Sequence, residues 1–140
     1  MELKVKRLTR HARLPEKAHA DDLGYDIFSS EPYQFEPGDI RTIKTGICIS
    51  PNNNSYGCII KDRSSLAMKG MFVHAGIIDA GYRGEVKILF HNASKKAYQI
   101  DTGDKVAQLI PHKIINFTIT DQYDLHNTKR GAKGFGSTGK

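Results

Sequence analysis

The chain predicts an all-β domain, a sandwich, barrel or jelly roll carrying one short helix. Three observations support this. Apolar and polar residues alternate with period two in Leu3-Lys4-Val5-Lys6, Val86-Lys87-Ile88-Leu89-Phe90 and Ile115-Asn116-Phe117-Thr118-Ile119, while Ile47 and Ile49 flank Cys48 in a further apolar stretch. Turn residues punctuate these runs at short intervals: Pro32, Pro37-Gly38, Pro51 with Asn52-Asn53-Asn54, Gly57, Gly70, Gly103-Asp104 and Pro111. At 140 residues, 39% hydrophobic and 26% charged, the chain is the size of one globular domain with a real core and no internal repeat.

Composition narrows the function classes. No apolar run approaches the roughly 18 residues of a spanning helix, and the charged stretch from Met1 to Arg10 lacks the apolar core of a secretory signal, so a cytoplasmic protein is expected. Cys48 and Cys58 form no CxxC and lie in apolar strand-like segments, which predicts buried free thiols. The histidines at 11, 19, 74, 91, 112 and 126 show no paired spacing, which argues against a histidine-built metal site. The net charge of +6 implies an anionic partner without choosing between nucleotide, nucleic acid and membrane surface. The aromatic residues Tyr25, Tyr33, Tyr56 and Tyr98 are dispersed rather than gathered on a basic strand face, so no specific nucleic acid is expected.

Along the chain, the first break in the strand pattern is Ser64-Ser65-Leu66-Ala67-Met68-Lys69-Gly70. Hydroxyl residues able to cap, helix formers after them and a closing glycine predict about two helical turns. The start of this helix carries Arg63, Ser64 and Ser65, where free backbone N–H groups suit an anion. The competing reading has Ser64 as a simple cap and Arg63 paired with its neighbour Asp62.

Next comes Gly76-Ile77-Ile78-Asp79-Ala80-Gly81-Tyr82-Arg83-Gly84-Glu85-Val86. Strand-type residues on both sides of Ala80-Gly81 predict a hairpin whose reversal uses glycine at positive φ. It presents the carboxylate of Asp79 and the phenol of Tyr82 at the mouth of a turn. Alternatively, Asp79 bonds its own backbone and Tyr82 packs as a lid.

The last segment, from Arg130 to Lys140, is too glycine-rich for strand or helix and is expected to be mobile until held. Gly134 to Lys140 spells GxxxxGK, but without a strand before it and a helix after it the segment is not read as a P-loop. Unobstructed backbone N–H groups beside Ser137, Thr138, Arg130 and Lys140 still suit a phosphate chain, and Phe135 suits stacking on a flat ligand. A planar end and a polyphosphate end together describe a nucleotide.

These residues resemble the trimeric, all-β deoxyuridine triphosphatase (dUTPase) family, whose five motifs are matched in order over almost the full chain. Ala20-Asp21-Asp22-Leu23-Gly24-Tyr25-Asp26-Ile27 is similar to the first, Asp62-Arg63-Ser64-Ser65-Leu66-Ala67 to the second and Gly76 to Gly84 to the third. Gly103-Asp104-Lys105-Val106-Ala107-Gln108-Leu109-Ile110 resembles the fourth, and Arg130 to Gly139 the fifth.

The resemblance implies a jelly-roll-like β-barrel, a β core over 1–120 and a flexible C-terminal arm over 121–140 that closes a neighbouring subunit's active site in a homotrimer. It implies hydrolysis of dUTP to dUMP and pyrophosphate, which keeps uracil out of DNA and supplies dUMP for thymidylate synthesis. By the same carry-over Asp79 orients the attacking water, Tyr82 lies under the deoxyribose, and main-chain groups of Gly76, Ile77 and Ile78 pair with uracil. Arg63, Ser64, Ser65 and Gln108 contact the phosphates. Phe135 stacks on uracil as Arg130, Gly136, Ser137 and Thr138 close over the γ-phosphate. Mg²⁺ is held mainly by the triphosphate, with Asp26 acting through a metal-bound water.

The sequence departs from the family pattern at Ser65, where many members have glycine, at Asp62, where many have proline, and at Ala80-Gly81, where an acidic residue commonly precedes the tyrosine. The third departure also resembles the related dCTP deaminases. Those place a glutamate on the following strand, where this chain has Val86-Lys87-Ile88-Leu89-Phe90 and Glu85 comes too early. A deaminase, a bifunctional deaminase/dUTPase, or a non-catalytic nucleotide-binding regulator are the alternatives.

Overall fold

A computed structural model describes residues 2–133. Among these residues the chain forms ten strands and one helix: β1 (Leu3–Arg7), β2 (Tyr25–Phe28), β3 (Tyr33–Phe35), β4 (Ile40–Pro51), β5 (Tyr56–Lys61), α1 (Ser64–Ala67), β6 (Met71–His74), β7 (Ile77–Ile78), β8 (Glu85–Asn92), β9 (Tyr98–Ile100) and β10 (Lys105–Lys113). Two four-stranded sheets, ordered β1-β4-β8-β6 and β2-β10-β5-β7, are joined by a small β3-β9 ribbon, and every named pairing is antiparallel. This is the all-β, jelly-roll-like architecture that the alternation predicts.

The core lies between the sheets because each strand turns one face inward. On β8 the side chains of Val86, Ile88, Phe90 and Asn92 are buried while Lys87 is exposed, as period two requires. Phe90 meets Phe35 edge-on at 5.6 Å between ring centroids, and Ile27, Ile43, Met71, Val106 and Leu109 fill the space around them. Asn92 can be buried because its amide is fully used. It donates to the carbonyls of Lys96 (2.7 Å) and Phe35 (3.3 Å) and accepts from the Ser94 amide and hydroxyl.

Three expectations are corrected. The helix is a single turn, Ser64–Ala67, with Arg63 rather than Ser64 at the N-cap and no side-chain cap bond. One turn aligns few peptide dipoles, so its positive end offers an anion little.

The segment from Gly76 to Val86 is not a paired hairpin. β7 pairs with β5 in one sheet and β8 with β4 and β6 in the other, so the Asp79–Tyr82 turn is a corner between sheets. Gly81 has no positive φ; the left-handed positions are Ala75 (58°) and Gly76 (100°), ahead of β7.

Ile115 to Ile119 keeps its alternation but is no strand, and Ile115, Phe117 and Ile119 are exposed. A strand needs a ladder partner, and among the described residues this segment has none.

Candidate active site

On one chain, the predicted site residues before Arg130 fall into two groups. The first surrounds the corner after β7. A β-turn closes as the Tyr82 amide donates to the Asp79 carbonyl at 3.0 Å, and the Arg83 guanidinium fastens it through the carbonyls of Ala80 (2.6 Å) and Tyr82 (2.9 Å). The Asp79 side chain is exposed and takes no part in this bonding, so the carboxylate is not spent on its own turn. Tyr82 folds back so that its hydroxyl donates to the Glu85 carbonyl at 3.0 Å, and its ring occupies the space a side chain at Gly84 would need.

Close backbone approach explains the glycines around β7. A Cβ on Gly76 would stand 2.6 Å from the Ile60 carbonyl oxygen, and one on Gly57 would stand 2.8 Å from the Ile78 carbonyl oxygen. The payoff is the edge they create. β7 ends its sheet among the described residues. The Ile60 amide donates to the Gly76 carbonyl at 2.7 Å, and antiparallel ladders bond alternate residues, so the N–H and C=O of Ile77 face away from β5. A planar, hydrogen-bonding ring fits such an edge. Ile77, Asp79, Tyr82 and His74 line a cleft of about 240 Å³ beside it.

The second group lies where β2, β10 and the start of α1 meet. Asp26 is buried at 5% exposure, with Oδ1 3.2 Å from Arg63 Nε and Oδ2 2.7 Å from Lys105 Nζ. Arg63 is tied again by Nη1 to the Lys105 carbonyl at 3.3 Å, and the competing reading in which it pairs with Asp62 does not hold; Asp62 accepts from the Val73 amide instead. Gln108 stands directly opposite Asp26 on one neighbouring strand and Lys61 on the other, which puts all three on one face of the sheet. Arg63, Ser65, Lys69, Asp104 and Lys105 line a polar cleft of about 270 Å³; Ser64 beside them is exposed. Its excess of cations suits a phosphate chain.

The two clefts share no lining residue. Arg130 reaches neither: it sits in a turn in which its Nε donates to the Lys133 carbonyl at 3.2 Å. Phe135, Gly136, Ser137 and Thr138 lie outside the described residues. A further cavity, about 490 Å³, is apolar, lined by Leu3, Val5, Leu14, Tyr56 and Cys58, and holds none of the predicted site residues.

For a metal, no group of three or more His, Cys, Asp or Glu side chains converges among the described residues. Asp26, expected beside a metal-bound water, has both oxygens engaged by cations. This donor set does not fit an ion caged by the protein.

Three features had no signal in the sequence. Lys69 and Lys105 join the phosphate-type cleft from separate elements. His74 and His91, on neighbouring strands, stack at 5.2 Å with ring nitrogens 3.1 Å apart. Glu85 is held by the Gly46 amide at 2.9 Å.

Known proteins bear on this geometry. The dUTPase family profile matches residues 10–139. The deoxyuridine 5'-triphosphate nucleotidohydrolase of Clostridium tetani (strain Massachusetts / E88) is 43% identical over 141 residues, covering 99% of this chain and 97% of that protein. Among solved structures, a mutant dUTPase of Staphylococcus bacteriophage 80alpha with dUpNHpp superposes with a TM-score of 0.92 at 30% identity, covering 99% of each chain. A mutant dUTPase from phage phi11 of S. aureus, described for its coordination of a structural Mg(II) ion, gives a TM-score of 0.84 at 30% identity over 91% of this chain and all of that one.

Proposed function

The chain belongs to the dUTPase family, and from that premise we propose that it hydrolyses dUTP to dUMP and pyrophosphate. The observation that carries the proposal is the exposed Asp79 carboxylate, bonded to nothing in its own turn and set beside the free edge of β7. Uracil pairs with the outward N–H and C=O of Ile77 on that edge, between Gly76 and Ile78, whose main-chain groups face β5. Tyr82 lies under the deoxyribose, where it leaves no room for a 2′-hydroxyl. Asp79 orients a water and takes up its proton as the water oxygen bonds to the α-phosphorus; the bond from that phosphorus to the bridging oxygen breaks, and pyrophosphate leaves with the electron pair. Arg63, Ser64, Ser65 and Gln108 hold the phosphates.

That the two clefts have no residue in common supports a site shared between protomers of a homotrimer, one supplying the β7 corner and another the cationic cleft. Residues 1–120 form the core in this reading. Residues 121–140 form the arm that brings Arg130, Phe135, Gly136, Ser137 and Thr138 over the nucleotide and expels bulk water. Mg²⁺, held by the triphosphate rather than by the protein, would supply charge neutralisation of the phosphates. A cytoplasmic location belongs to this reading; separately, no helix of the described residues is long and apolar enough to cross a membrane.

Deamination of dCTP is disfavoured because β8 carries no acid from Val86 to Phe90, and Glu85 at its start already accepts the Gly46 amide. The test is to offer dUTP, dCTP, dTTP and UTP with Mg²⁺ and follow pyrophosphate and ammonia separately. Pyrophosphate from dUTP alone is expected, and ammonia from dCTP overturns the proposal. Asp79→Asn should bind dUpNHpp while losing nearly all turnover, and a variant with unchanged turnover would remove Asp79 from its role.

A further inference from the structure

We propose that Lys105 is a further phosphate-binding residue and that Asp26 is a positioning residue that sets Lys105 and Arg63 as a two-cation clamp. The inference rests on the dUTPase reading for the identity of the nucleotide, but not for the chemistry of the clamp.

The geometry is specific. Asp26 offers one oxygen to each cation, 3.2 Å to Arg63 and 2.7 Å to Lys105, and is itself 5% exposed. With a cation on each oxygen, the charge of the buried carboxylate is fully compensated. The cations are not equally buried: the Arg63 side chain is 27% exposed and the Lys105 side chain 35% exposed, so both reach the surface of the cleft. Each also keeps donors in reserve. The Lys105 ammonium spends one on Asp26; the Arg63 guanidinium spends Nε on Asp26 and one Nη1 hydrogen on the Lys105 carbonyl. Both cations line a cleft that Ser65 and Lys69 also line. One negative charge holds two positive ones, so the group carries a net positive charge in a fixed place, which is what a polyphosphate needs and what loose surface lysines do not provide.

A structural role for Asp26 would make the same ion pairs, so the test must separate the two. Inorganic tripolyphosphate is the probe, titrated calorimetrically into the full-length protein at fixed protein concentration and low salt, with deoxyuridine as the phosphate-free control. Lys105→Met should weaken tripolyphosphate by about 10- to 100-fold, the range of one charge-assisted contact. It should leave deoxyuridine binding unchanged and raise KM for dUTP by a similar factor. Lys105→Arg should recover most of the loss. Asp26→Asn discriminates most sharply. It adds a net positive charge, so if Asp26 were only a counter-charge, tripolyphosphate would bind more tightly; if Asp26 positions the cations, binding weakens several-fold in folded protein, whose state the melting transition checks. Tighter binding by Asp26→Asn, or full tripolyphosphate affinity in Lys105→Met, overturns the proposal. Because tripolyphosphate is not a nucleotide, a clamp that fails this test is distinguishable from a protein that proves not to turn over dUTP.

Discussion

Replacing Gly76 by alanine puts the backbone argument for the β7 edge at risk. Gly76 has φ +100°, and the new Cβ would lie 2.6 Å from the Ile60 carbonyl oxygen and 3.3 Å from the Ile60 Cβ. Ordinary contact begins about 0.8 Å farther out, and the obstacle is backbone in the middle of a sheet rather than a flexible side chain. Movement in the relieving direction stretches the 2.7 Å bond from the Ile60 amide to the Gly76 carbonyl, a loss of about 1 kcal/mol. The backbone conformation adds about 1–2 kcal/mol for a residue with a Cβ, so the total comes to roughly 2–3 kcal/mol. For a domain of this size a urea slope of about 2 kcal/mol per molar turns that into a midpoint lowered by about 1–1.5 M, read by circular dichroism at fixed protein concentration. The catalytic consequence is separable. A β7 edge displaced by a substantial fraction of an ångström misplaces the base and the Asp79 turn together, so kcat/KM for dUTP should fall by about 10- to 100-fold under conditions where the variant is fully folded. Gly81→Ala is the control, because its Cβ would meet open space at an ordinary φ; its midpoint should move by no more than about 0.5 kcal/mol. If Gly76→Ala unfolds with the wild-type midpoint and turns over at the wild-type rate, the close-approach argument is wrong.

The neighbouring Ala75 sits at φ +58°, so Ala75→Gly should raise the midpoint by an equivalent of about 0.5–1 kcal/mol, and a lowered midpoint would show that the side chain is needed there. Tyr33 is pushed up to about 12, first by burial and then by its hydrogen bond to Glu31, whose own carboxyl is lowered chiefly by that hydrogen bond. A raised folded value means the contribution of Tyr33 is complete below pH 10 and is lost as pH rises from 10 to 12, so the stability advantage over Tyr33→Phe should shrink across that window in pH-dependent urea melts. An advantage that stays constant to pH 12 would contradict the assigned environment. Burial also raises the Cys58 thiol, so it should resist a thiol reagent in native protein and react on unfolding. Truncation before Arg130 should preserve the folded core and abolish turnover of dUTP, and a truncated protein with full activity would refute the closing arm.

Within a strand, the amino-acid sequence alone tells which residues face inward, because period two is a local property of extended chain. Leu3 and Val5 on β1, and Val86, Ile88 and Phe90 on β8, could therefore be read without coordinates. It also determined the family through motif residues whose identity and order survive without knowledge of their contacts. Partners came from the three-dimensional fold. Alternation says nothing about which strand lies alongside, so the segment from Gly76 to Val86 read as one hairpin when its halves belong to different sheets. For the same reason Ile115 to Ile119 read as a strand that has no ladder among the described residues. Charge pairing followed the same rule. Adjacent Asp62 and Arg63 project from the chain in different directions, and the carboxylate that meets Arg63 belongs to Asp26, brought there by the antiparallel register of β2 with β10. Proximity in sequence fixes conformation over a few bonds; proximity in space is set by long-range pairing, and the active-site geometry depends on the latter.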